Sequence, residues 1–129
     1  MPSRGPLQKR LDYSFKKPEL LELALTHPSV NHEQSKTLSN NQRLEFLGDA
    51  VLQMIISAEL YRQFPTRNEG TLSEVRARMV NRDALAEQAV QIKLGKELML
   101  SRGEERNGGR ERASALADAF ESVVGAIYL

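Results

Sequence analysis

Residues 41–52 read Asn41-Gln42-Arg43-Leu44-Glu45-Phe46-Leu47-Gly48-Asp49-Ala50-Val51-Leu52, and they open a long run of apolar residues at helical spacing that ends near Phe64, before Pro65. Glu45 and Asp49 stand four apart and so share one face of that helix, a face that continues into Leu52 and Ile56 rather than into further polar residues. The acidic face is therefore expected to point inward. Between Leu44 and Ala58 these two are the only charges, and neither has a basic residue one turn later. Paired carboxylates in a partly dry setting repel each other and take up protons unless a cation lies between them.

Working outward, helical periodicity recurs along the chain and no segment sustains the alternation of a strand, so the expected fold class is all-α. A short helix is expected over 7–11. Pro18 opens a second, with Leu20, Leu21, Ala24 and Leu25 inward and Thr26-His27-Pro28 at its end. The polar stretch 29–40 reads as a loop. Ser39 with Gln42, and Thr71 with Glu74, have the spacing of capping boxes, and Asp83 is placed to cap the helix through Leu85, Ala89 and Val90. Gly70 falls in the turn after Pro65. The glycine-bearing, doubly charged stretch 101–112 is expected to be an exposed loop, followed by a last helix from about Ser114.

That last helix repeats the acidic pattern. Asp118 and Glu121 are three apart on one face and are the only charges from Ala113 to Leu129, in a helix apolar on nearly all sides and so expected inside. An unpaired buried charge costs on the order of several kcal/mol, so these acids need interior partners. Either pair alone is more often a solvated surface feature. Both together, set in charge-free apolar helices, are most economically satisfied by facing each other around a hard divalent cation, Mg²⁺ or Mn²⁺, which prefers oxygen donors. Such a centre has room for two ions acting on a phosphodiester. The alternative is neutralisation by arginines such as Arg76, Arg78 or Arg112.

The run from Asn41 to Leu52 resembles the signature of the ribonuclease III family. The resemblance extends to Leu23-Ala24-Leu25-Thr26-His27-Pro28-Ser29, to Glu69-Gly70-Thr71-Leu72-Ser73, to Leu116-Ala117-Asp118-Ala119-Phe120-Glu121 and to Gly125-Ala126-Ile127-Tyr128-Leu129. It implies a helical endonuclease domain that forms a homodimer around a cleft for double-stranded RNA. By position Glu45, Asp49, Asp118 and Glu121 match the family's metal ligands, with Asp49 and Glu121 as the catalytic pair. In-line attack of an activated water would leave a 5′-phosphate, a 3′-hydroxyl and, from paired cuts, two-nucleotide 3′ overhangs, in rRNA and mRNA processing. Phe46 matches a dimer-interface residue that inserts into the partner, with core packing as its alternative. Glu69 stands where the family has an auxiliary cleft acid. Gln42 departs from the family's usual Glu, which weakens a supporting role there. Members usually continue into more helix and an RNA-binding domain that these residues do not contain.

Composition restricts the alternatives. At 129 residues without cysteine, one domain over 1–129 is expected, with no disulfide framework and no thiolate chemistry. No secretory leader or membrane-length apolar run is seen, which suggests the cytoplasm. A net charge of +1 does not announce a polyanion partner, so RNA contact must come from local arginines, here Arg76, Arg78, Arg106, Arg110 and Arg112. The absence of Trp argues against a platform for stacking bases. Asn107-Gly108-Gly109-Arg110 is a weak phosphate-loop signal, and no nucleotide-cofactor motif occurs. His27 reads as a cap or core hydrogen-bond partner, and His32 lies in the polar stretch. Two further readings are a non-catalytic duplex-RNA binder and a short Mini-III-type nuclease; intact acids oppose the first, and Phe46-Leu47-Gly48 the second. The chain stops at Ile127-Tyr128-Leu129 within an apolar helical pattern, which reads as a truncated piece.

Overall fold

The computed structural model describes residues 3–34 and 39–129. Among them the secondary structure is helical, with one isolated parallel bridge between Thr26 and Met99. Eight α-helices follow in order: α1 (Gly5–Leu11), α2 (Pro18–Ala24), α3 (Ser29–Gln34), α4 (Gln42–Gln63), α5 (Glu69–Val80), α6 (Arg82–Gln91), α7 (Arg102–Arg106) and α8 (Ala113–Tyr128). Single 3₁₀ turns cover Gly95–Glu97 and Gly109–Glu111.

Helix α8 is the axis of the fold, as its composition requires. It buries Ala115, Leu116, Ala117, Ala119, Ser122, Val123, Gly125 and Ala126, and α2, α4 and α6 pack around it. Leu21, Ala24 and Leu25 of the α2 segment, Leu44 of α4 and Ala86 and Ala89 of α6 complete one core with these residues. Each fully buried leucine contributes about 1.5–3 kcal/mol through removal from water. Two polar groups register the packing. The Ser122 hydroxyl, fully buried, donates to the carbonyl of Ala24 at 2.6 Å, and the Asn41 amide donates to the same carbonyl at 3.3 Å. The end of α2 is thereby tied to α8 and to the start of α4.

Helices α4 and α8 approach until their backbones touch. A Cβ on Gly48 would fall 1.6 Å from the Glu121 carbonyl oxygen, and one on Gly125 would fall 2.4 Å from that of Leu44. Glycine inside a helix costs roughly 0.5–1 kcal/mol relative to alanine, and the close crossing is what offsets it here. At the amino-terminal end, Arg4 donates to Glu22 at 2.7 Å and to Glu97 at 3.0 Å, and Arg10 adds a 2.9 Å bond to Glu97. Glu97 is buried, and its two arginines meet the need of a buried carboxylate for paired, hydrogen-bonded charge.

Several local expectations are corrected. The polar stretch 29–40 is not loop throughout: Ser29–Gln34 forms α3, while 35–38 lie outside the described residues. Ser39 does not cap α4; the Asn40 side chain accepts from the Gln42 amide at 2.9 Å. Helix α5 starts before Thr71, taking in Gly70, because Asn68 caps it by accepting from the Thr71 amide at 2.9 Å. Asn81 rather than Asp83 caps α6, accepting from Ala84 at 2.8 Å. The 101–112 stretch contains α7 and a 3₁₀ turn, with Ser101 as the cap of α7. In two of these cases an Asn just upstream, in extended backbone, reaches the first free amides earlier than the residue read from sequence.

Candidate active site

The crossing of α4 and α8 determines where the four acids go. Gly48 lies one turn after Leu44 and directly against Glu121, so Glu45 and Asp49, which flank it, meet Asp118 and Glu121 across the contact. One carboxylate oxygen from each of Glu45, Asp118 and Glu121 lies within 4.8 Å of the others. All three are half-buried. Asp49 is exposed and hydrogen-bonds to Glu121 from the rim. A cleft of about 370 Å³ opens above them, lined by Gln42, Glu45, Phe46, Asp49 and Glu121.

Crowding of this kind leaves a mark on proton affinity. Burial, followed by the hydrogen bond and charge of Asp49, pushes the Glu121 carboxyl up to about 8. Burial, followed by the charge and hydrogen bond of Asp118, raises Glu45 to about 7. Asp118 is raised by burial too, opposed by its hydrogen bond with Glu45 and by the electrostatic influence of His27 and Arg82. Glu45 and Glu121 thus hold a proton more tightly than a free carboxyl does, each against a neighbouring acid. This is the state expected of acids assembled to share something more positive than a proton. Oxygen-only donors, converging from two rigid helices and open on one side, fit a hard divalent ion.

Around the acids the structure places a group that sequence reasoning undervalued. His27 sits at the α2–α3 junction, its amide donating to the Met99 carbonyl at 3.0 Å. Its Nδ1 accepts from the Ser29 amide at 3.0 Å and meets the Ser29 hydroxyl at 2.8 Å, which leaves the proton of the neutral ring on Nε2. Burial lowers the ring's proton affinity, against the opposing charges of Glu104 and Asp118. His27 thus caps the start of α3 rather than the end of α2. The signal available in the sequence was Ser29, two residues on. The His32 side chain lies outside the described residues.

The remaining candidates are dispersed. Phe46 is 81% exposed, so core packing is not its role. It borders both the acidic cleft and an apolar groove of about 860 Å³ formed with Leu20, Leu23, Leu47 and Leu129. Glu69 begins α5 and accepts from the Ser73 hydroxyl at 2.9 Å, in a separate groove with Tyr61, Phe64, Arg67 and Arg76. Arg76 donates to the Ser57 hydroxyl at 2.8 Å across that groove. Arg78 pairs with Glu74 one turn back on an exposed face, and Arg106 is exposed on α7. Arg112 pairs with Glu104 and donates to the Asn107 carbonyl at 3.0 Å. Arg110 is a brace: its guanidinium donates to the carbonyls of Gly95 and Leu98 at 3.0 and 2.7 Å and pairs with Glu105. No described helix is long and apolar enough to cross a membrane.

Comparison with known proteins agrees with this geometry. A family model described as Ribonuclease-III-like matches residues 17–129. Ribonuclease 3 of Desulforamulus reducens is 55% identical over 124 residues, covering 95% of this chain and 50% of that protein. Ribonuclease 3 of Aliarcobacter butzleri is 50% identical over 129 residues, all of this chain and 55% of the relative. The chain thus spans about half the length of the curated relatives it matches. Among solved structures, the nuclease domain of ribonuclease III from Campylobacter jejuni superposes with a TM-score of 0.92 at 43% identity, covering 98% of this chain and 85% of that one; that structure is described as showing flexibility in a region involved in dimer formation. Dicer from Pichia stipitis gives a TM-score of 0.63 at 26% identity over 88% of this chain and 45% of its own.

Proposed function

The chain belongs to the ribonuclease-III-like family, and from that premise we propose that residues 1–129 form a divalent-metal-dependent endonuclease domain acting on double-stranded RNA. The observation that carries this reading is the meeting of Glu45, Asp118 and Glu121, with Asp49 at the rim, although the two pairs are some seventy residues apart in the chain. Glu45, Asp49, Asp118 and Glu121 are the residues that would hold Mg²⁺ or Mn²⁺. Bound there, such ions supply charge stabilisation at phosphoryl oxygens and lower the pKa of a water.

The chain's own contribution is placement. The α4–α8 contact keeps the acids at fixed separation, so little reorganisation is needed when the phosphodiester arrives. Asp49 and Glu121 border the open side of the cleft, which suits them for the catalytic pair. Gln42 borders it too, as a neutral hydrogen-bonding group. The products of this chemistry are a 5′-phosphate and a 3′-hydroxyl, with two-nucleotide 3′ overhangs when two sites act together. Exposed Phe46 beside an apolar groove supports a homodimer in which the aromatic ring of one copy enters the other. Contacts to the RNA backbone fall to Arg76 and Arg78 on α5 and to Arg106 and Arg112, with Arg110 bracing the segment 101–112 that carries the latter two, and Glu69 remains an auxiliary acid on α5. Processing of rRNA and mRNA in the cytoplasm is the setting this reading implies.

Clustered carboxylates repel phosphate when no cation intervenes, and this opposes a purely binding role. The test is incubation of the protein with a long RNA duplex, with Mg²⁺ and with EDTA. Short duplex products carrying 5′-phosphates are expected only with Mg²⁺; an intact duplex under both conditions would overturn the proposal.

A further inference from the structure

Asn41 directly precedes α4, the place where an asparagine side chain ordinarily caps a helix by accepting from its first free amides. Here it does not. The residue is buried, 3% exposed, and its side-chain amide turns inward to donate to the Ala24 carbonyl at 3.3 Å. Its backbone is held as well: the amide donates to the Thr26 carbonyl at 2.9 Å, and the carbonyl accepts from the Glu45 amide at 2.8 Å. The Asn40 side chain serves the Gln42 amide in its stead. A buried amide that gives up a cap to reach the end of another helix fixes tertiary placement rather than local structure.

The Ala24 carbonyl is shared, because the Ser122 hydroxyl of α8 donates to it at 2.6 Å. Asn41 precedes Glu45 by four residues and Ser122 follows Asp118 by four, so both helices are tied to one atom about one turn from an acid. Glu45 and Asp118 then bring carboxylate oxygens within 4.8 Å of each other, which closes the circuit. Gly48 and Gly125 set how near α4 and α8 come, but a backbone contact alone does little against sliding or rotation, whereas hydrogen bonds are directional. Ser122 lies within a helix whose buried residues run from Ala115 to Ala126, while Asn41 is where α4 begins. Glu45, bonded next to Asn41, is the acid that its loss would displace. We propose that Asn41 is a positioning residue for the metal site, holding Glu45 where its carboxylate meets those of Asp118 and Glu121. The inference rests on the divalent-metal reading above and adds to it a buried residue that acts through Glu45.

The test is Mn²⁺ binding to the RNA-free protein, read from the electron paramagnetic resonance of the unbound ion, with every variant held well below its melting temperature. Asn41→Ala removes the amide. Asn41→Ser removes it too but keeps a side chain that caps helices, so the fold is retained if alanine proves too costly. Each should weaken Mn²⁺ binding roughly tenfold, the low end for groups that orient a metal ligand. In a Glu45→Gln background Asn41→Ser should weaken it further by less than about twofold, because a residue acting through Glu45 then has nothing to place. Ser122→Ala, which removes the other bond to the same carbonyl, should leave Mn²⁺ affinity unchanged. Wild-type affinity in Asn41→Ser, a full additional loss in the Glu45→Gln background, or an equal loss in Ser122→Ala would each overturn the proposal. If the wild-type chain binds no Mn²⁺, the metal reading itself fails and the role of Asn41 falls with it.

Discussion

A methyl group on Gly48 would lie 1.6 Å from the carbonyl oxygen of Glu121 and 2.5 Å from its carbonyl carbon. The residue between the two acids of α4 is thus pressed against the backbone of an acid on α8. No rotamer change relieves such a clash, since both atoms belong to helical backbone. Gly48→Ala should force the helices apart and destabilise the fold by at least about 3 kcal/mol, the upper range for overpacking. Urea unfolding measures this; a loss below about 1 kcal/mol would mean that the contact is not as drawn.

Glu121→Gln keeps the shape of the side chain and removes its charge. Duplex cleavage with Mg²⁺ should fall by roughly a thousandfold, in line with the several kcal/mol that metal-held charge stabilisation supplies. The circular-dichroism spectrum and melting temperature should be retained or improved, because the variant relieves crowding among like charges. Turnover equal to wild type would remove Glu121 from the reaction.

The acids also set a pH dependence for the metal-free protein. Glu45 and Glu121 bind protons more tightly folded, with values of about 7 and 8, than as free carboxyls near 4.5. The folded state therefore holds more protons across this window, and stability falls as pH rises. The contribution is fully present below about pH 4.5 and is lost as pH climbs through 7 and 8. Melting in EDTA should drop between pH 5 and 8, and Mg²⁺ should reduce the drop by replacing the protons. A melting temperature in EDTA that rises steadily over this range would contradict the assignment.

Phe46→Asp tests the dimer. The side chain is 81% exposed in the single chain, so its replacement should leave folding within about 0.5 kcal/mol of wild type. A charge placed in an apolar groove of the partner should nevertheless shift sedimentation from dimer to monomer at micromolar concentration. Unchanged sedimentation would place the interface elsewhere.

Much of this was legible in the residues themselves. Helical periodicity, the prolines at positions 18 and 65 and the charge-free surroundings of Glu45, Asp49, Asp118 and Glu121 identify the elements and single out the acids. What misled was local and short. Asn68 and Asn81 take the capping roles assigned to Thr71 and Asp83, and Asn40 rather than Ser39 accepts from the first amide of α4, because the backbone conformation at each turn decides which side-chain oxygen reaches a free amide. Arg110 looked like a loop cation and is a brace, because the carbonyls of Gly95 and Leu98 come from a turn packed against it by the fold. Gly48 and Gly125 could have been noticed as isolated glycines within helical pattern, the usual sign of close packing. Nothing in the sequence says that each lies against the other's helix.

By itself, then, the order of residues determines which faces are apolar and which carboxylates lack a partner, because helical period and the cost of burying charge act within a few residues. Only the tertiary structure decides that Glu45 comes within reach of Asp118 and Glu121 while Asp49 stays at the rim. Those distances depend on how closely α4 can approach α8. That approach follows from the missing side chains at two glycines and from the packing of the whole core around them.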